Sequence, residues 1–512
     1  MKDSTISTSR FKFDKLWVLI GVGVLIRLAF IGFLNLLPEE AYYWNYAKHL
    51  DIGYLDHPPM VAWLNYLSGL ILGRTQLAVR LAPFLGWFIF AYFMYRFAEN
   101  AIGRGIGKPV VLLLAALPIY MSVGFIMTPD APLYACWAGT LYFLERAIFG
   151  NRSSAWYLAG VWLGLGFLSK YTMGLIVPAA VIFVLIDKNA RRWLLRPQPY
   201  LALLIAAVIF LPDIIWNAQH NWASFGFQGA RRWSGGAHFQ LHVLIGSILI
   251  LITPFGLYEA IRVCWSFWKT RLSIRAADSV KFRKYLFMVT LTAAPLAVFV
   301  IHSLQGQPKL NWTGPVWLGI LPLIAARISG FRIAELQIKL APIGKLWSIT
   351  VYLLLIFYAV GFGYMVAGMP GTHKGAGMKL PIAWQAYGER VQSIKSRLDS
   401  ETQSNLLIVG TDKYWLASEA SFYCGDDSDS LPKFAGENLV GGNGLMWKYW
   451  VPPQVVAGRN ALLLSFTDGR LKEHNVTDHF AGVGEISKEV LSNRFGETGF
   501  FYWRVGYSYK PD

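Results

Sequence analysis

Charge is scarce in this chain. Of 512 residues only 15% are charged, against 55% hydrophobic residues, whereas a soluble globular chain carries roughly a quarter charged. That deficit excludes an ordinary soluble enzyme and points to an integral membrane protein. Acids are scarcer still: 30 Asp and Glu face 47 Lys and Arg, a net charge of +17. The surplus does not argue for nucleic acid, because the basic residues sit between apolar spans instead of forming one face, the pattern of cytoplasmic loops. Cysteine is nearly absent. Three are too few for a disulfide framework; Cys136 and Cys264 fall in apolar spans, and Cys424 has no evident partner.

Long apolar runs are abundant. A spanning helix needs about 20 apolar residues, and the runs predict spans near 16–37, 76–97, 109–127, 131–149, 155–170, 171–187, 199–217, 242–261, 285–303, 313–328 and 346–368. The first, preceded by Lys12 and Lys15, is long for a signal-peptide core and has no small-residue cleavage site after it, so it is expected to be retained. Basic residues gather in alternate loops: at the N-terminus, near 104–108, at Arg152, over Lys188–Arg196, over Lys269–Lys284 and over Arg332–Lys345. Those loops are expected inside. The N-terminus is then cytoplasmic and the segment after the first span faces outward.

From Met369 the character changes. Asn405–Gly410 and Ala461–Phe466 read as buried strands, Lys413–Cys424 has helical spacing and Phe501–Tyr509 reads as a closing strand. The expected architecture is a polytopic α-helical membrane domain of about eleven helices, residues 1–368, with a first outer loop at 38–75. An extracytoplasmic α/β domain, residues 369–512, follows it.

The outer loop is where chemistry concentrates. "PEEAYYWNYAKHLDIGYLDHPPMVAW" (Pro38–Trp63) packs two adjacent acids, four tyrosines, two further aspartates and two histidines into one segment. Acids leaving a span commonly just meet water, but Glu39 and Glu40 precede Tyr42, Tyr43 and Trp44. A carboxylate screened by aromatics suits a general base or a divalent-cation ligand. Adjacent acids on a helix point in different directions, so one of the pair faces a given substrate. Asp130, in "MTPDAPLYACW", lies on the same expected side and competes for the plainer role of helix N-cap. Asp56 and His57 form a stiff elbow with Pro58-Pro59; His57 pairs with Asp56 or donates to a phosphate. Lys170 and Lys309 break the positive-inside trend, either for a task or by snorkelling to headgroups. Arg231 and Arg232 suit a phosphate, an anionic lipid or mere membrane contact.

Carboxylates beside cations at a bilayer surface suit the attack of a hydroxyl on a lipid-linked phosphate ester. A carboxylate removes the proton and cations steady the departing phosphate. The segment Glu39–Leu64 resembles the first outer loop of bacterial polyprenyl-phosphate-sugar glycosyltransferases of the GT-C superfamily, relatives of protein O-mannosyltransferases and of the lipid A aminoarabinose transferase. "TPDAPLYACW", "GLGFLSKYT", "WNAQHNWASFGFQ" and "LQGQPKLNWTGPVW" are similar to later family segments, so the resemblance covers roughly 16–330.

It implies an inverting transferase with an extracytoplasmic site beneath helices of the first loop. The family opens with Asp-Glu, the Asp being the base; Glu39-Glu40 stands there, with Glu39 as base and Glu40 as alternative. Asp130 matches the second acidic position. The family's phosphate-binding Lys-Pro-Pro is His57-Pro58-Pro59, and Lys309 matches a basic residue near the phosphate. The implied phosphate set is His57, Lys309, Arg231 and Lys170, with Tyr42, Tyr43 and Asp56 near the sugar. A divalent cation such as Mg or Mn, on Glu39 and Asp130, is left open. The expected partners are a polyprenyl-phosphate-linked sugar donor, a lipid or glycan acceptor such as lipid A or lipopolysaccharide, and membrane lipids. Rival readings are a protein O-glycosyltransferase, a lipid-linked sugar transporter or flippase, and an envelope sensor. A transporter would place its ionisable residues at the bilayer midplane, often within repeats. "DKYWLASEASFYC" (Asp412–Cys424) has no assigned role.

Overall fold

The computed structural model describes residues 10–229, 239–330, 343–368, 381–424 and 431–511. In chain order the first helices are α1 (Arg10–Phe30), α2 (Pro38–Lys48), α3 (Met60–Leu72), α4 (Gln76–Ala101), α5 (Gly107–Ala116), α6 (Pro118–Val123), α7 (Asp130–Ile148), α8 (Ser154–Ser169), α9 (Ile176–Ile186) and α10 (Pro197–Gln219). Long helices follow at Leu241–Ala277, Ser279–Ser303 and Ile343–Ala367. Among the described residues five helices are long and apolar enough to cross a membrane, and four shorter apolar helices accompany them. The chain is thus a membrane protein. The expected spans are helical, with differences at particular places.

The chain packs as two compact units. One takes residues up to Leu28 together with Pro83–Ala359; the other takes Ala29–Ala82 with Val360–Asp512. The first outer loop therefore packs with the C-terminal residues, whereas the expected boundary at 368 had grouped it with the spans.

In the larger unit, the expected span 109–127 is two helices, broken at Leu117–Pro118. Proline has no N–H to return to the carbonyl four residues back, which here is Leu114. Arg27, fully buried on α1, and the Trp87 indole N–H, at 3.4 Å, supply donors instead. The Arg27 guanidinium reaches the carbonyls of Leu114 (3.4 Å), Tyr120 (3.2 Å) and Met121 (3.3 Å) while lying over the Trp87 ring. A charge in an apolar span thus serves the backbone. Span 313–328 is likewise broken, into a short 3-10 turn at Gly314–Leu318 and a helix at Leu321–Ile328. The 242–261 span extends to Ala277 through a kink at Thr253, just before Pro254. Helices α8 and α10 approach closely because Gly160 and Gly164 face Ala202 and Ala206; a Cβ at Gly160 would stand 2.4 Å from the Ala202 carbonyl oxygen. This is the small-residue packing that lets membrane helices meet.

In the smaller unit a six-stranded mixed sheet runs β2-β1-β3-β6-β4, with β5 on β6. The strands are β1 (Leu407–Gly410), β2 (Phe434–Ala435), β3 (Ala461–Ser465), β4 (Phe480–Val483), β5 (Ser487–Asn493) and β6 (Gly496–Tyr509). β1 pairs in parallel with β2 and β3, and β6 runs antiparallel to β3, β4 and β5. All residues of β1 and β3 are buried, as continuous apolar strands require. Helices at Trp384–Thr402 and Trp415–Tyr423 pack here. The strands and the helix read from the tail sequence are all present.

Candidate active site

Within the smaller unit α1 stops at Phe30, not at residue 37 as expected. The chain turns there, with the Phe33 and Leu34 N–H groups both returning to the Phe30 carbonyl. Arg80, at the start of α4, accounts for the exit. Its guanidinium donates to the carbonyls of Leu34 and Asn35, each at 2.8 Å, and to both oxygens of Glu40, at 2.9 and 2.6 Å. Glu40 and Arg80 are buried almost completely. Glu40 also accepts from the Leu37 N–H at 3.0 Å, the position-N3 half of a capping box on α2. Its carboxylate is thus committed to folding the entry of α2.

Glu39, one residue earlier, is only partly buried, and the Tyr414 hydroxyl donates to it at 3.3 Å. Tyr414 comes from the segment that had no assigned role. Asp412 explains its geometry: the carboxylate accepts the N–H groups of Tyr414, Trp415 and Leu416 and so starts the Trp415–Tyr423 helix. That helix also carries Glu419, fully buried, whose carboxylate oxygens have no hydrogen-bond partner among the described residues. Burial pushes the Glu419 carboxyl well above the usual range, the charges of Glu40 and Glu39 add to the rise, and Arg80 opposes it. Three carboxyls and one arginine therefore share this site, and sequence reading had identified only two of the acids as candidates.

Beneath α2 lies an aromatic cluster. Tyr42 donates to Asp56 at 3.0 Å, and Tyr46 donates to the same oxygen. Tyr46 stacks on Tyr54 at 4.1 Å, and Tyr42 lies 4.7 Å from the Tyr414 ring. Burial raises Asp56 above the ordinary carboxylate range, against the two tyrosine hydrogen bonds and the charge of Lys413. His57 is half-buried with its ring edge-on to Tyr43. Trp44 meets Phe422 edge-to-face. Tyr42, Tyr43 and Asp56 thus form a buried frame that holds the loop under Glu39.

In the larger unit Asp130 begins α7, but Pro129 holds the cap position and the Asp130 carboxylate makes no capping bond. This corrects the N-cap reading. Both carboxylate oxygens lie 2.9 Å from the Lys170 ammonium, and Asn311 donates to one of them at 2.5 Å. Lys170 is placed by its extended backbone between α8 and a 3-10 turn at Tyr171–Leu175. Its charge is answered by Asp130 at 2.9 Å. Lys309 is exposed, two residues before Asn311. Arg231 lies outside the described residues. A second polar cluster, missed in the sequence, joins Tyr171, Asp213, Asn217 and Ser224: Tyr171 donates to Asp213 at 2.9 Å, and Asn217 accepts the Ser224 N–H at 3.1 Å. The "WNAQHNW" stretch was its signal. Among the described residues no three His, Cys, Asp or Glu side chains gather as a metal-binding set.

A family model described as dolichyl-phosphate-mannose-protein mannosyltransferase matches residues 56–216. The structure of ArnT from Cupriavidus metallidurans bound to undecaprenyl phosphate superposes with a TM-score of 0.65 at 13% identity, over 96% of this chain and 98% of that one. The chain has the GT-C fold. The resemblance read from its first outer loop holds. Among relatives by sequence, the lipid A galacturonosyltransferase RgtD of Rhizobium johnstonii is 29% identical over 191 residues, 36% of this chain. The lipopolysaccharide core galacturonosyltransferase RgtA of the same organism is 23% identical over 363 residues, 69% of this chain. The alignments span 38% of the length of RgtD and 70% of that of RgtA.

Proposed function

We propose that this GT-C protein is an inverting glycosyltransferase of the bacterial inner membrane. It moves one sugar from a polyprenyl-phosphate donor to a periplasmic envelope acceptor, with lipid A or lipopolysaccharide core the favoured class. The relatives named above act on those acceptors, and a GT-C neighbour holds undecaprenyl phosphate. The loop charges support a cytoplasmic N-terminus and a periplasmic C-terminal domain.

The carrying observation is the division of labour in the acid pair: Glu40 is locked by Arg80 and Glu39 remains partly open. In the proposed step the acceptor hydroxyl gives its proton to Glu39. Its oxygen bonds to the anomeric carbon as the bond from that carbon to the phosphate oxygen breaks on the opposite face. The polyprenyl phosphate leaves with the bonding pair, and the sugar inverts. His57, on the same loop as Glu39, is proposed to meet the phosphate; in the larger unit Asp130 and Lys170 form a neutral, positioned pair. No step here uses a divalent cation.

The test is mass spectrometry of lipid A and core from cells with and without the protein. Loss of the mass of one sugar supports the reading and names the unit; unchanged glycolipids in a strain shown to make the protein overturn it. One observation favours a second reading, a protein O-glycosyltransferase: the matching family model bears a protein mannosyltransferase description. A sugar missing from secreted proteins would select it.

A further inference from the structure

An apolar cavity of about 140 Å³ lies among α7, α8, α9 and α10, lined by Leu144, Trp156, Leu163, Ala180, Val184 and Trp193 among others. It sits far along α7 from Asp130. Lining residues Thr140 and Leu144 are 10 and 14 positions further on, about 15 and 21 Å at 1.5 Å per residue. Two loops border it, one joining α7 to α8 and the other α9 to α10. Arg192 ties them together by donating to Asn151 at 3.0 Å.

These loops present Arg152, Lys188, Arg191, Arg192 and Arg196, all exposed. The sole acid between Gly150 and Pro199 is Asp187, and it is paired with Arg283 at 2.7 Å. Five exposed cations thus stand on the two loops that border the cavity, and among the described residues none of them is ion-paired. Trp156 and Trp193, both lining it, are buried, and their indole N–H groups have no hydrogen-bond partner among the described residues. Buried indole donors usually find one.

We propose that this cavity binds an anionic phospholipid of the surrounding leaflet. One acyl chain fills the apolar groove, the indole N–H groups serve ester oxygens, and the phosphate lies among the arginines. Charge complementarity selects the occupant: a zwitterionic lipid gives such a rim no net attraction, whereas basic clusters at a membrane surface attract anionic headgroups. The distance from Asp130 separates this lipid from the proposed sugar donor. The inference does not depend on the transferase reading.

The test is native mass spectrometry of the full-length protein in detergent, titrated with phosphatidylglycerol or phosphatidylethanolamine. Phosphatidylglycerol is expected to be retained preferentially. The variant R152Q/R191Q/R192Q, altered only at exposed positions, should lose that preference by about fivefold per charge removed. A180F, which fills the groove, should lower retention of both lipids while the rim stays intact. Equal retention of the two lipids by the unaltered protein overturns the proposal, as does undiminished phosphatidylglycerol binding in the triple variant. Displacement of phosphatidylglycerol by equimolar undecaprenyl phosphate also overturns it and makes the groove part of a donor path. Undiminished lipid binding in a folded A180F protein removes the acyl chain from the groove.

Discussion

Adjacent glutamates with opposite tasks should separate cleanly under substitution. Glu40→Gln removes the carboxylate paired with the buried Arg80; breaking such a pair from one side costs about 3–5 kcal/mol. The carbonyls of Leu34 and Asn35 still accept from Arg80, so the lower end of that range applies. Glu39→Gln removes little that holds the fold. The acid is partly exposed, its hydrogen bond among the described residues is the 3.3 Å contact from Tyr414, and a typical net loss is about 1 kcal/mol or less. Its effect on turnover should be far larger, because a positioned general base contributes roughly 10²–10⁴-fold. The assay pairs thermal unfolding in detergent, followed by tryptophan fluorescence, with sugar transfer from a lipid-linked donor. Glu39→Gln should unfold within a degree or two of the parent and be nearly inactive. Glu40→Gln should unfold markedly earlier, and its surviving folded fraction should retain transfer. The double variant Glu40→Gln with Arg80→Met should recover part of the lost stability, since members of one pair are not additive. A stable, fully active Glu39→Gln protein would refute the assignment of the base. Equal stability of the Glu40→Gln protein and the parent would refute the structural role of the pair.

The same logic extends elsewhere. Asp130→Asn should destabilise the larger unit by about 3 kcal/mol by stranding the Lys170 ammonium, and Asp130→Asn with Lys170→Met should restore much of it in the same unfolding measurement. Glu419 holds a proton in the folded state that the unfolded chain releases above its ordinary value of 4.5. Stability should therefore fall as pH rises from there toward the elevated folded value, and Glu419→Gln should flatten that part of a pH series of unfolding midpoints. Arg27→Met should take a donor from the Tyr120 and Met121 carbonyls at about 1–3 kcal/mol for each group left unsatisfied, while Leu114 keeps the Trp87 indole N–H at 3.4 Å; hydrogen exchange should rise first at the α5–α6 break.

Hydropathy located the helices because burial in a bilayer demands long apolar runs whatever their tertiary partners. It could not show that the run over 109–127 is broken, because the repair comes from Arg27 on α1. In sequence Arg27 and Arg80 are only charges within or beside apolar spans; what each one answers, a set of carbonyls or a glutamate 40 residues earlier, is a tertiary fact. Lys170 was visible as a basic residue on the wrong side, and its partner Asp130 was visible as an isolated acid. Their pairing was not, since residues 40 apart carry no local periodicity that joins them. The tail segment was conspicuous without being interpretable. Tyr414 and Glu419 acquire meaning only when the Trp415–Tyr423 helix meets α2.

The acid pair itself was more legible than it first appears. Pro38 lacks an N–H and suits the first helical position, which sets the phase of α2. Glu39 is then the second helical residue and Glu40 the third, the one whose carboxylate reaches back to the N-cap N–H. Leu37 at the cap has no side-chain acceptor, so only the Glu40 half of the box can form, and the structure shows that half. An acid returned to its own backbone, with Arg80 closing over it, has no lone pair pointed at solvent to spare for a proton in transit. The preceding acid, turned about 100° around the helix, escapes that commitment. A proline followed by two acids at the exit of a span therefore assigns the second acid to the fold and leaves the first for chemistry.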